Sequence, residues 1–311
     1  MAKSVRYLCV FACGLLLTAG ETPEEVPQPN LQSGTKNRSA ATVETRTRSN
    51  ALDDLLASTP AHGISLDKAN QALQSPGAVA RLIGTLTTWK DRSQWSNTTL
   101  LLGLSGDERA YEALMEFLNR DDSPAAARSR CASTRSWCEP SSRKADSTAL
   151  ERDVYGAKMS VPVALGLLVY QIQQRNQPQS HEVVESAINE LKSGSRAKYW
   201  KGRIAWAQPG MSPQERAALH TDLSARCIRG LGFTGSSQAK EHLEGLRDHL
   251  QRLIAKSAAA GAGETHSHPF VDGYLTSMLP SLVATAETAI ARNAAIASGG
   301  LRAGYPPAPI Q

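Results

Sequence analysis

Two stretches of the chain, LLLGLSGDERAYEALMEFL at residues 100–118 and CIRGLGFTGSSQAKEHLEGL at residues 227–246, follow the same pattern. In each, an apolar segment ends in Leu-Gly, a short turn with a second glycine follows, and an amphipathic segment begins. Equivalent residues lie 129 positions apart, as Gly103 and Gly232 do. Because apolar residues recur at helical spacing on both sides of the turn, the pattern predicts two similar helix–turn–helix units.

The glycines and polar residues of these stretches predict where the helices end and begin. We expect Gly103 and Gly232 to end the first helix of each unit, since glycine readily adopts the positive φ of a helix C-terminal cap. Asp107 is placed to cap the helix that follows. Ser212 and Glu215 form a capping-box pattern that predicts another helix start. Because a single helix pair cannot bury its apolar faces alone, neighbouring pairs should stack.

Helical spacing of apolar residues continues outside the two stretches, whereas period-two strand patterns are scarce. Residues 161–172 and 181–192 supply a further apolar segment and an amphipathic partner, and a last helix is expected from Tyr274 onward. We therefore predict an all-α fold over residues 51–298, built from stacked antiparallel helix pairs that form a short solenoid. A polar insertion at 121–148 interrupts the array, so a non-repetitive helical domain remains the alternative.

The two "LG…SGD/TGS…A…L" units resemble HEAT-type repeats, especially the short bacterial kind associated with phycobilin lyases. The resemblance implies a curved helical scaffold that binds another macromolecule through its surface. It implies no lyase activity, because no residue here can be matched to a chemistry-bearing motif of the family.

The N-terminal residues indicate export. Residues 1–20 read as a signal peptide, with Lys3 and Arg6 before an apolar run that is too short to span a bilayer. We expect a periplasmic or extracellular protein without a membrane span after cleavage. The competing interpretation is a lipoprotein that carries its lipid on Cys13. Residues 21–50 are polar and rich in proline, which predicts a disordered linker.

Three cysteines remain after cleavage of the predicted signal peptide. Cys131 and Cys138 bracket six residues of a polar stretch, and in an oxidising compartment we expect them to form a disulfide. A reactive or metal-binding pair is the alternative. Cys227 lies in a helical pattern and is interpreted as a small buried apolar residue.

Composition and motifs restrict the function. The formal charge of +5 is too mild to require nucleic acid as a partner. Nucleophile-elbow, phosphate-loop and HExxH patterns are absent from the sequence. We therefore expect no cofactor and favour a non-catalytic scaffold that binds a protein partner, of unspecified oligomeric state.

Two segments carry the residue types of a recognition surface. The insertion displays Arg135 and Trp137 beside the expected disulfide, and a solvated surface loop is the alternative. The segment 198–206 mixes cations with aromatic rings, as binding surfaces do. Its members are Lys198, Tyr199, Trp200, Lys201, Arg203 and Trp206. If this segment is helical, Trp200 and Ile204 instead pack inward.

The histidines offer weak metal chemistry near the C-terminus. His266 and His268, with Asp272 four residues later, could hold a metal ion if the segment is extended. This gives the alternative function, an exported helical enzyme that acts as a metal-assisted hydrolase. His242 and His249, on an amphipathic helix, are interpreted as surface residues. Residues 299–311 are interpreted as a flexible, proline-rich tail.

Overall fold

The computed structural model describes residues 51–58, 64–122, 126, 147–175, 180–204, 211–261 and 270–305. These residues are overwhelmingly helical, which confirms the predicted all-α class. The predicted signal peptide, linker and disulfide, together with most of the insertion and residues 306–311, lie outside the described residues.

The helices are numbered along the chain. They are α1 (51–57), α2 (Leu66–Leu73), α3 (Ala78–Thr87), α4 (Trp95–Ser105), α5 (Arg109–Asn119), α6 (Ser147–Arg175), α7 (His181–Gly194), α8 (Pro213–Phe233), α9 (Ser237–Gly261), α10 (Leu279–Gly299) and α11 (Leu301–Gly304). Short 3₁₀ turns occupy Trp89–Gln94, Ala197–Trp200 and Thr276–Met278. The strands β1 (Phe270–Val271) and β2 (Tyr274–Leu275) form an antiparallel hairpin.

The helices pack in two rows. The even-numbered helices α2, α4, α6, α8 and α10 contact one another in chain order, each against the next. The odd-numbered helices α3, α5, α7 and α9 pack against this first row. Apolar side chains between the rows form one large buried core, because each helix turns its apolar face towards its neighbours.

Gly103 and Gly232 do not end their helices, so this prediction is wrong. Both glycines lie inside a helix, Gly103 in α4 and Gly232 in α8. A Cβ at Gly103 would lie 2.4 Å from the carbonyl oxygen of Ala164, and one at Gly232 would lie 3.0 Å from Ala289. The absence of a side chain at these positions therefore serves close helix packing between α4 and α6 and between α8 and α10.

The second glycine of each unit, three residues later, makes the turn. Gly106 and Gly235 have φ values of +59° and +63°, in the left-handed region that favours glycine. Ser105 and Thr234 precede them at equivalent positions. Each hydroxyl donates to the carbonyl three residues earlier, at 2.7 and 2.9 Å. Each also accepts from the amide two residues later, at 3.2 Å in both units.

Polar groups cap several helices as the sequence indicates. The Ser212–Glu215 capping box is confirmed, since the Ser212 hydroxyl accepts from the Glu215 amide at 3.2 Å and the Glu215 carboxylate accepts from the Ser212 amide at 2.8 Å. Asp107 accepts from the amide of Arg109 at 3.0 Å, at the start of α5. These bonds satisfy backbone donors that would otherwise lack partners at the helix N-terminus.

A buried ion cluster joins α6 to the end of α5. Lys158 is completely buried, and its ammonium lies 3.0 Å from the carboxylate of Asp122. The same ammonium donates to the carbonyls of Phe117 and Arg120. The Arg120 guanidinium lies 2.9 Å from Asp122. Although Asp122 belongs to the predicted polar insertion, it is buried, because two cations compensate its charge.

The C-terminal part departs from the sequence expectation in two ways. Tyr274 and Leu275, predicted to begin the last helix, form a strand, and α10 begins at Leu279 with Pro280 in its first turn. Beyond Gly300, residues 301–304 of the predicted flexible tail form α11, and Leu301 is buried. Among the helices described, none has both the length and the apolar character needed to cross a membrane.

Candidate functional site

A cleft of about 700 Å³ lies between α7, α9 and the β-hairpin, and we call it the α7–α9 cleft. Lys192 and Arg196 line it from the last turn of α7 and the residues just after it. Asp272 lines it from the hairpin. The α9 wall is formed mainly by Gln238, Glu241, His242, Leu246, His249 and Arg252. The lining is thus rich in cations and imidazoles, with the buried Leu246 as its apolar part.

The hairpin turn places Asp272 in the cleft. Asp272 and Gly273 have φ values of +50° and +86°, and the flanking residues Val271 and Tyr274 are paired. Two consecutive positive φ values in a two-residue loop define a type I′ turn, for which Asp-Gly is a preferred sequence. The Asp-Gly pair is therefore a hairpin signal that the sequence already contains, although helical spacing predicted a helix from Tyr274 onward.

The side chains of Lys198 and His249 hold the carboxylate of Asp272. Lys198 forms an ion pair with one oxygen, and Nε2 of His249 lies 3.1 Å from the other. Burial alone would raise the pKa of Asp272, but the hydrogen bonds from Lys198 and His249 outweigh it and lower the pKa below its usual value. Asp272 is therefore engaged within the protein. The two histidines predicted as its metal-ligand partners, His266 and His268, lie outside the described residues.

A serine–histidine pair joins the α9 wall of the cleft to the residue that follows α7. The buried Ser195 hydroxyl lies 3.0 Å from Nε2 of His242 and 2.7 Å from the carbonyl oxygen of Lys192. A hydroxyl carries one proton, and the carbonyl can only accept it. When Ser195 donates to Lys192, the ring nitrogen must be the donor to Ser195. In that arrangement the imidazole orients the serine and does not act as its base.

The electrostatic surroundings keep His242 neutral. Burial, followed by the positive charges of Lys192 and Arg196, lowers the pKa of His242 to about 4. The amphipathic pattern of α9 predicted His242 and His249 as surface residues, yet both are half-buried in the cleft wall. Their burial depends on α7, which is distant in the chain.

The segment 198–206 has a structural role in its described part. It forms a 3₁₀ turn and not an α-helix. Trp200 is nonetheless buried, and its indole N–H donates to the carbonyl of Gly194 at 2.7 Å. Tyr199 donates to Glu190, and the Arg203 guanidinium lies 4.0 Å from the Tyr199 ring centre. Of the predicted binding residues here, Lys198 forms an ion pair with Asp272, which lines the cleft.

The remaining predicted binding residues are not brought to the cleft by the described structure. Lys201 is exposed in the turn after Trp200. Arg135, Trp137 and Trp206 lie outside the described residues. The cations that do line the cleft, Lys192, Arg196 and Arg252, were not predicted. No local pattern marks them, because α7 ends at Gly194 and the extended Arg196 does not share a helix face with Lys192.

Comparisons of the chain with protein-family models, with curated proteins and with solved structures found no match.

Proposed function

We propose that the protein is an exported, non-catalytic helical-repeat scaffold that binds a partner protein in the α7–α9 cleft. The observation that carries this proposal is the cleft itself. Its volume of about 700 Å³ is similar to that of a small-ligand pocket, which is room for several side chains of a partner. Its walls come from two helices and a hairpin, so the surrounding fold holds the lining residues in place.

The arrangement of the helices supports a scaffold. The even-numbered helices contact one another in chain order, and the turns at Gly106 and Gly235 share the same hydrogen bonds. Stacked helix pairs of this kind present extended surfaces that are suited to binding macromolecules. Export is supported by the leader pattern of residues 1–20, and a Cys131–Cys138 disulfide would suit the oxidising compartment.

The polar groups of the cleft favour binding over catalysis. Ser195 and His242 are engaged in hydrogen bonds that orient the loop after α7. The alternative of a metal-assisted hydrolase requires Asp272 as a metal ligand, but the Asp272 carboxylate is held by Lys198 and His249. The described geometry therefore gives the enzyme hypothesis no specific support.

Site-specific photo-cross-linking tests the proposal. Gln238 lines the cleft, whereas Gln251 is exposed on the same helix but does not line it. Each is replaced in turn by p-benzoylphenylalanine in cells that produce and export the protein. We expect a discrete adduct with another protein from position 238 and none from position 251.

Mass spectrometry of the adduct then identifies the cross-linked peptide. Equal labelling at both positions would refute a partner site in the cleft. An adduct of the chain with a second copy of itself would refute a distinct protein partner.

A further inference from the structure

Three cations of the α7–α9 cleft have no counter-ion among the described residues. Within that part of the chain, no ion pair involves Lys192, Arg196 or Arg252. Two exposed arginines elsewhere are paired, Arg81 with Asp53 and Arg302 with Asp67. A cleft that concentrates uncompensated positive charge attracts an anionic occupant.

The carboxylates of the lining do not cancel this charge. Among the described residues of the lining, only Glu241 and Asp272 contribute acidic groups. Asp272 is already paired with Lys198 and His249. Glu241 is exposed and makes no ion pair with any described residue. An excess of positive charge therefore remains for a ligand to neutralise.

We infer that the occupant of the α7–α9 cleft is an acidic segment of the partner protein, whose carboxylates pair with Lys192, Arg196 and Arg252. The inference rests on the proposed function and specifies the chemistry of the partner.

Two of the cations come from one short stretch of chain. Lys192 lies in the last turn of α7, which ends at Gly194, and Arg196 follows in an extended conformation. An extended acidic segment presents a carboxylate at every second residue on one face, so it can offer carboxylates to more than one cation. An arginine can bind a carboxylate through two parallel hydrogen bonds. The buried Leu246 can contact the methylene groups of the acidic side chains.

The lining disfavours nucleic acid as the occupant. Recognition of single-stranded nucleic acid relies on aromatic rings on which bases stack. None of the cleft-lining residues that the structure describes is Phe, Tyr or Trp. The aromatic side chains nearest in sequence, Tyr199 and Trp200, are engaged with Glu190 and Gly194.

His242 supplies a signature of an acidic ligand. It is neutral because burial and the facing cations oppose its protonation. Carboxylates that neutralise those cations would favour the imidazolium form, so binding should take up a proton. Because burial is the larger cause and persists in the complex, the pKa of the bound form should rise only part of the way to its usual value, and affinity should rise by less than about tenfold between pH 7.5 and 5.5. The titratable groups that line the cleft with His242 are Lys192 in the last turn of α7, Arg196 just after it, Glu241, His249 and Arg252 on α9, and Asp272 in the hairpin.

Fluorescence anisotropy with a labelled hexa-aspartate peptide tests the inference on the full chain at low salt. We expect the peptide to bind and a hexa-lysine peptide not to bind. Lys192→Glu should weaken binding about tenfold, because an attraction becomes a repulsion. Lys68→Glu, the same charge reversal at an exposed residue on α2, should change affinity by less than about twofold. His242→Gln should abolish the rise in affinity at pH 5.5.

Several results would overturn the inference. These are equal effects of Lys192→Glu and Lys68→Glu, an unchanged pH dependence in His242→Gln, or competition by inorganic phosphate or an oligonucleotide at the concentration of the peptide. The failures of the two proposals are distinguishable. A cross-linked partner peptide without acidic residues would overturn only this inference, whereas hexa-aspartate binding without any cellular adduct would overturn the proposed function and leave only a cleft that binds acidic peptides.

Discussion

The contact between α6 and α8 leaves no room for a side chain at Gly166. A Cβ built there would lie 2.0 Å from the carbonyl oxygen of Gly230 and 2.6 Å from its carbonyl carbon. Ordinary van der Waals contact begins at 3.4 Å. Because both obstacles are backbone atoms, no side-chain rotation can relieve the clash, and Gly166→Ala must separate the two helices by about 1 Å or more.

The expected cost of Gly166→Ala follows from two opposing effects. Inserting a methyl group into a packed core costs typically about 1–3 kcal/mol, and the backbone clash places this substitution at the upper end. The higher helix propensity of alanine offsets about 1 kcal/mol. We therefore predict a net loss of about 2 kcal/mol in the free energy of unfolding, which corresponds to a fall in Tm of roughly 4–8 °C.

Thermal and urea unfolding, followed by circular dichroism at 222 nm, measures the effect. Gly84→Ala is the matched control, since Gly84 lies inside α3 and a Cβ there would meet nothing within 4 Å. The control should be stabilised by up to about 1 kcal/mol. If Gly166→Ala proved as stable as the parent protein, or if both substitutions shifted Tm in the same direction, close packing of α6 on α8 would be refuted.

Two further substitutions probe polar groups that the fold depends on. Lys158→Met should lower the free energy of unfolding by about 3 kcal/mol, because it removes a cation from the buried carboxylate of Asp122. A urea unfolding curve equal to that of the parent protein would contradict this prediction. Ser212→Ala should lower the free energy of unfolding by about 1 kcal/mol because the capping box is lost, whereas Ser212→Asp should retain most of the stability. An equal loss of stability in both variants would show that the cap does not act through its side-chain acceptor.

The parts of the fold that could be predicted from the sequence depend on local patterns. Apolar residues at helical spacing predict a helix wherever one face of that helix packs against the core. The all-α class was predicted from this pattern. The start of α8 could be predicted because Ser212 and Glu215 satisfy each other within one turn. Burial of Cys227 could be predicted because apolar residues surround it in the chain, and its burial raises the pKa of the thiol.

The parts that could not be predicted depend on contacts between distant segments. A glycine that ends a helix and a glycine that admits a neighbouring helix look alike in the sequence, and Gly103 and Gly232 proved to be of the second kind. The cleft could not be predicted for the same reason. His242 contacts Ser195 although the two are 47 positions apart in the chain, and no local sequence pattern indicates that contact. The Asp272–Gly273 turn, by contrast, has a local signal that predicts it.

The cleft wall and the core are connected through Gly194, at the end of α7. A Cβ at this position would lie 2.6 Å from the Cys227 sulfur and 2.9 Å from the Trp200 ring, so glycine allows α7, α8 and the turn after α7 to meet. Its carbonyl accepts the indole N–H of Trp200, and the Tyr274 hydroxyl donates to the carbonyl of Ser195 at 2.9 Å. These bonds immobilise the backbone that carries the cations of the cleft, while the cations themselves remain without ion-pair partners in the described structure. A binding site benefits from both properties. A rigid backbone lowers the entropic cost of association. A cation without an ion-pair partner attracts a ligand of opposite charge.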